Sequence, residues 1–173
     1  MTQPEIETQR LLLRPFHLSD AHDVQMLAGN KRVSEFTLNI PYPYLDGMAE
    51  EWISIQPENW RKGNQVVFAI VNKDTSILLG TVGLVKTKDF EVELGFWVGE
   101  PYWGQGYCTE AVKSLFDYSF EKLEVEKIIA RYLSINPASG RVMEKVGMCY
   151  VGELQANDRN GQLALIKNYE ISV

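Results

Sequence analysis

The stretch Tyr102-Trp103-Gly104-Gln105-Gly106-Tyr107-Cys108-Thr109-Glu110-Ala111 constrains this chain more than any other. Before it, Val92, Leu94, Phe96 and Val98 alternate with Glu91, Glu93, Gly95 and Trp97, the period of a strand. After it, Val112, Leu115, Phe116 and Phe120 fall on one face of a helix. Two glycines one residue apart let the backbone turn tightly between the two elements. The amides of the loop and of the first helical turn then converge on one spot. They lack helical partners there, and the helix dipole adds positive potential. Such a spot suits an anion, a phosphate above all. The loop holds no Lys or Arg, so backbone amides and Gln105 would do the holding.

A length of 173 residues suits one domain, residues 1–173, with its own core. The net charge of −6 disfavours a nucleic-acid surface and biases the chain toward cationic partners such as amines. Two histidines (His17, His22) and two cysteines (Cys108, Cys149), without C-x-x-C spacing, offer no metal site. The cysteine usage fits a reducing, cytoplasmic setting. The N-terminus carries no apolar signal segment, and no apolar run is long enough for a bilayer.

The rest of the chain reads as alternating elements. Thr8 to Phe16 is a first strand. Ser19 is placed to cap a helix carrying Val24, Leu27 and Ala28, and Asp46 a second with Met48, Trp52 and Ile55. Residues 36–44, with two prolines, read as irregular. Strands follow over 65–71, 77–85 and 91–98, joined by short turns and therefore antiparallel. The glycine loop and its helix lead to a strand over 126–134. Asn136-Pro137 starts a last helix that ends at Gly147, and two closing strands flank a hairpin at Asn160-Gly161. The strand-helix-strand units across 91–155 call for parallel pairing somewhere, which gives a mixed sheet flanked by helices.

Four blocks, in order, resemble the GCN5-related N-acetyltransferases (GNAT), and within them the RimJ/RimL-like group that acetylates ribosomal-protein N-termini. They are residues 7–16, Leu79-Gly80-Thr81-Val82-Gly83-Leu84, Glu93 to Val98 running through the glycine loop into Thr109-Glu110-Ala111, and Asn136 to Met148. The resemblance implies the α/β (α+β) GNAT fold. Its sheet is mixed, mostly antiparallel, with about seven strands, about four helices and a splay between the fourth and fifth strands. It implies an acetyl-CoA-dependent N-acetyltransferase without a metal, with transfer to an amine by direct attack in a ternary complex. It also implies that the diphosphate of acetyl-CoA lies on the amides of Gly104, Gln105, Gly106, Tyr107, Cys108 and Thr109. The pantetheine arm would pair with the backbone of Trp97, Val98 and Gly99, with Asn136 and Ser139 on its other side. The family's diphosphate signature usually begins with Gln or Arg, where this chain has Trp103, and its final small residue is Cys108. Many members carry a proton-donating Tyr in the last helix, where this chain has Met143.

Glu93 is the candidate base, a charge within an apolar strand; the alternative is a solvated strand-end glutamate beside Glu91. The Trp97 N–H is the candidate donor to the thioester oxygen. Ser139 is the candidate to steady or protonate the departing thiolate, and the alternative is a first-turn serine that satisfies an orphan N–H. Cys108 at a helix N-terminus suggests a nucleophile, but no His-Asp pair is apparent to activate it, and it reads as a small packing residue. Trp52 reads as packing, with Tyr42 and Tyr44 as acceptor-pocket candidates. Arg131, Arg141 and Lys145 are candidates for the adenosine 3′-phosphate, solvated cations being the other reading. A ribosomal-protein N-terminus, polyamine, amino acid, aminoglycoside or peptide antibiotic all fit as acceptor, and monomer and homodimer stay open. Two other functions stay open beside catalysis: a non-catalytic acyl-CoA-binding module of the same fold, and a nucleotide-binding protein, although no G-x-x-x-x-G-K-[ST] stretch is present.

Overall fold

In the computed structural model, which describes residues 2–173, the period-two apolar segments become one sheet. The strands are β1 (Ile6–Glu7), β2 (Leu11–Arg14), β3 (Gln65–Asn72), β4 (Leu78–Lys88), β5 (Glu91–Val98), β6 (Lys127–Leu133), β7 (Cys149–Asn157) and β8 (Leu163–Ser172). They lie in the order β1-β2-β3-β4-β5-β6-β8-β7. Every neighbouring pair is antiparallel except β5 and β6. That one parallel pair needs a long crossover, and α5 (Tyr107–Lys122) provides it. The other helices are α1 (Ala21–Ala28), α2 (Lys31–Glu35), α3 (Met48–Ser54), α4 (Gln56–Arg61) and α6 (Pro137–Lys145).

β3 is apolar on both faces because both are covered. Val66, Phe68 and Ile70 join the larger core with Leu11, Leu13, Val82, Leu94, Ile128 and, from α5 and α6, Val112, Leu115 and Met143. Val67, Ala69 and Val71 join a second core on the opposite face, with Val24 of α1 and Ala49 and Ile53 of α3. Each fully buried Leu, Ile or Phe contributes about 1.5–3 kcal/mol of apolar transfer energy. The second core stops short of β6. Gly95 and Arg131, on that face, are exposed.

Several expectations change. The first strand is two: the chain folds back at Thr8–Arg10, with Ile6 opposite Leu13, which supplies the eighth strand. Thr8 makes that turn, its N–H donating to the Leu11 carbonyl and its hydroxyl accepting from the Leu11 N–H, both at 2.9 Å. Ser19 lies in a 3-10 turn rather than at a cap; α1 begins after Asp20, whose carboxylate accepts from the His17 N–H at 2.8 Å. Asp46 accepts from Gln25 instead of capping α3, which starts at Gly47 in the left-handed region and buries Ala49 and Ile53 rather than Met48 and Ile55. The short helices α2 and α4 have no strong sequence signal. No helix among the described residues is long and apolar enough to cross a membrane.

Candidate active site

The glycine loop folds as its composition requires. Gly104 (φ 73°) and Gly106 (φ 80°) both take the left-handed conformation. Among the described residues, no acceptor takes the amides of residues 104–109; the first amide engaged is that of Glu110, which donates to the Gly106 carbonyl at 3.1 Å. Six successive N–H groups are therefore left to an external acceptor at the positive end of a 16-residue helix. The Gln105 side chain turns away and donates to the Pro101 carbonyl at 3.2 Å. The cradle is thus main chain alone, without the Gln105 side chain.

Beside it lies the cleft. β5 and β6 pair from Glu91 and Lys127 to Leu94 and Ala130, and beyond those residues they part. The Phe90 carbonyl accepts from the Lys127 N–H at 3.1 Å, toward β6, whereas the Gly99 N–H donates to the Leu79 carbonyl at 2.8 Å, toward β4. Backbone polar groups alternate sides along a strand. Those of Phe96 and Val98 therefore face the cleft, and those of Trp97, opposite Thr81, face β4. This corrects the role expected of the Trp97 and Gly99 amides, because β4 already uses that side of the strand. The Val98 carbonyl accepts from Trp103 Nε1 at 2.6 Å. Trp103 also lies under the Arg32 guanidinium (5.3 Å) and against Phe36 (ring centroids 6.0 Å apart), where β5 runs into the loop.

Asn136 and Ser139 stand past the end of β6. Asn136 caps α6, its Oδ1 accepting from the Ser139 N–H at 3.4 Å, while its Nδ2 donates to the Phe36 carbonyl and to Ser139 Oγ, both at 2.9 Å. Glu93 lies on the sparsely covered face of β5. It is held by Arg131 of β6 through two bonds, Nε to Oε1 at 2.8 Å and Nη2 to Oε2 at 3.0 Å. The hydrogen bonds and charge of Glu93 raise the Arg131 pKa, against a smaller opposing effect of burial. Arg131 is thus committed to Glu93 and is not a loose cation waiting for a distant phosphate.

The acetyltransferase (GNAT) domain model matches residues 10–149. The uncharacterized N-acetyltransferase YnaD of Bacillus subtilis is 32% identical over 146 residues, covering 83% of this chain and 81% of YnaD. The chain belongs to the acetyltransferase (GNAT) family. Its fold is shared with a GNAT-family acetyltransferase from Bacillus anthracis (TM-score 0.87, 22% identity, 98% of each chain). It is shared as well with RimL, described as a ribosomal L7/L12 α-N-protein acetyltransferase in complex with coenzyme A (TM-score 0.89, 15% identity, 98% of each chain).

Within this acetyltransferase the remaining sequence candidates separate. Cys108 packs against the main core, and burial pushes its thiol up to about 12, so it stays protonated at neutral pH and is no ready nucleophile. Met143 is buried in the same core. Trp52 packs edge-on against Phe16, ring centroids 4.9 Å apart. Tyr44 packs on the second core, and burial raises its pKa; Tyr42 is exposed. Among the described residues no group of three or more His, Cys, Asp or Glu could hold a metal ion.

Sequence reasoning passed over two features. One is the set Thr8, Arg10 and Glu110. Glu110 Oε1 accepts from the Thr8 hydroxyl (2.6 Å) and the Arg10 N–H (2.8 Å), and its Oε2 accepts from Arg10 Nε (2.7 Å). A polar turn against a helix-start glutamate, both charge-bearing and in family-like blocks, was the available signal. The other is Arg159, which donates to Ser34 Oγ at 3.0 Å and to the Ile40 carbonyl, tying the β7–β8 hairpin to the segment after α2. No local pattern announces that contact.

Proposed function

We propose that this acetyltransferase takes its acetyl group from acetyl-CoA and passes it to a primary amine, by direct attack with both substrates bound. The amine is a protein N-terminal α-amine or belongs to a small molecule. The observation that carries the reading is the row of acceptor-less amides at 104–109, which follows closely on the end of β5 where that strand has parted from β6. Those six N–H groups suit a diphosphate, and RimL, with the same fold, holds coenzyme A. The polar groups of Phe96 and the Val98 N–H offer a strand edge to an amide-containing arm, with Asn136 and Ser139 across from them. Acetyl-CoA would supply an activated acyl group and a thiolate leaving group.

The Val98 N–H, facing the cleft, replaces Trp97 as the donor to a carbonyl oxygen gaining charge. Glu93 takes the proton of the incoming ammonium, directly or through water. Arg131 orients both carboxylate oxygens through its two bonds. Ser139 Oγ accepts from Asn136 Nδ2, which leaves its own proton for the departing sulfur. The net charge of −6 favours a cationic acceptor.

A thermal-shift comparison tests the donor. Acetyl-CoA and CoA should raise the melting temperature, and ATP and NAD should not, because only a ligand of the native state stabilises it. A melting temperature unmoved by acetyl-CoA overturns the reading. A panel of peptide N-termini, polyamines and amino acids, read by thiol release, then assigns the acceptor.

A further inference from the structure

The turn between β1 and β2 lies against the start of α5, and Arg10 stands at the join. Its guanidinium makes three contacts. Nε pairs with Glu110 Oε2 at 2.7 Å, Nη1 donates to the Gln105 carbonyl at 2.9 Å, and the plane lies 4.6 Å from the Tyr107 ring centroid. Its own N–H binds Glu110 Oε1 at 2.8 Å. Glu110 therefore anchors Arg10, and Arg10 reaches past it into the loop. In a trans peptide the C=O and the following N–H point in opposite directions. With the Gln105 carbonyl drawn outward to Arg10, the Gly106 N–H is turned the other way. Gly106 lies in the left-handed region, where it has freedom to adopt other orientations.

We propose that Arg10 is a positioning residue for the anion cradle: its bond to the Gln105 carbonyl sets the Gln105–Gly106 peptide so that the carbonyl faces out and the Gly106 amide faces the bound diphosphate. The separate ion pair from Arg10 Nε offsets the negative charge of Glu110 in the first turn of α5. This inference rests on the acetyl-CoA reading above, and deepens it by assigning the cradle's geometry to a side chain from the far end of the sequence.

The test compares Arg10→Ala and Arg10→Lys with the unmodified enzyme on two donors, acetyl-CoA and S-acetylpantetheine, which lacks the diphosphate. For Arg10→Ala, KM for acetyl-CoA should rise about tenfold or more with kcat little changed, in line with losing a charge-assisted orienting bond. Kinetics with S-acetylpantetheine should be unaffected. Arg10→Lys, able to reach one acceptor but not both, should fall between, and it carries the test if the alanine variant does not fold. CoA affinity by calorimetry should weaken in parallel. Equal losses with both donors, or an unchanged KM for acetyl-CoA, overturn the proposal and leave the donor assignment standing. Failure of the unmodified enzyme to bind CoA sinks both.

Discussion

Two glutamates of this enzyme are each gripped by an arginine from far along the sequence, and the grips differ. Glu110 sits at a helix start and accepts from a hydroxyl, a backbone amide and a guanidinium. Burial would raise its pKa, but those bonds from Thr8 and Arg10 outweigh it and hold the carboxyl below its ordinary value. Glu93 has one guanidinium and nothing else within hydrogen-bond reach among the described residues, on the sheet face the helices leave uncovered. A carboxylate fixed by three kinds of donor is a brace. One fixed by a single exposed arginine can exchange that partner for a substrate. On the function proposed above, the difference separates a residue that builds the site from one that acts in it.

Substitution of each glutamate should break the comparison in opposite ways. Glu93→Gln should lower kcat about a hundredfold or more, the range of general-base catalysis, with CoA affinity nearly unchanged; steady-state kinetics beside calorimetry read the split. Gly106→Val should do the reverse. A β-branched residue in the left-handed region strains the loop, and CoA affinity should fall about tenfold to a hundredfold while the fold survives. Glu110→Gln should cost about 1–3 kcal/mol in denaturant unfolding, as expected for a hydrogen-bonded pair that loses its charge. The sign with pH follows. A carboxyl held lower in the folded chain than in the unfolded one stabilises above the unfolded value, and that stability is lost as pH falls through the folded value. The stability of the unmodified enzyme should therefore decline below about pH 4–5, and Glu110→Gln should flatten that acid limb. Ser139→Ala should have a smaller effect, lowering kcat about threefold to tenfold without changing KM for the donor. Cys108→Ala should leave turnover unchanged, because the buried thiol is protonated.

The glycine loop was legible before the fold because it is local. Gly104, Gly106 and the helix that follows are contiguous, and orphan amides at a helix start are a property of the backbone itself. The strand alternation of residues 91–98 was equally plain. It could not say which edge of β5 meets β4 and which meets the cleft, so the donor role fell on Trp97 instead of Val98. That choice depends on register, set by the Phe90 and Gly99 bonds to two different strands. Glu93 read as a lone carboxylate in an apolar strand because Arg131 is 38 residues away in sequence. The Thr8 turn looked like the start of a single strand because Leu11, Leu12 and Leu13 outweigh it locally.

By itself the sequence determined the glycine loop, the order of the longer strands and helices and the family, since each rests on neighbours along the chain or on ordered blocks. Tertiary structure alone decided which backbone groups face the cleft, that Arg131 holds Glu93, and that Arg10 reaches Gln105 across a span of 95 residues. A charge or an amide takes its meaning from what stands within about 3 Å of it, and where a crossover helix separates two paired strands, or a turn packs on a later loop, those partners come from far along the sequence.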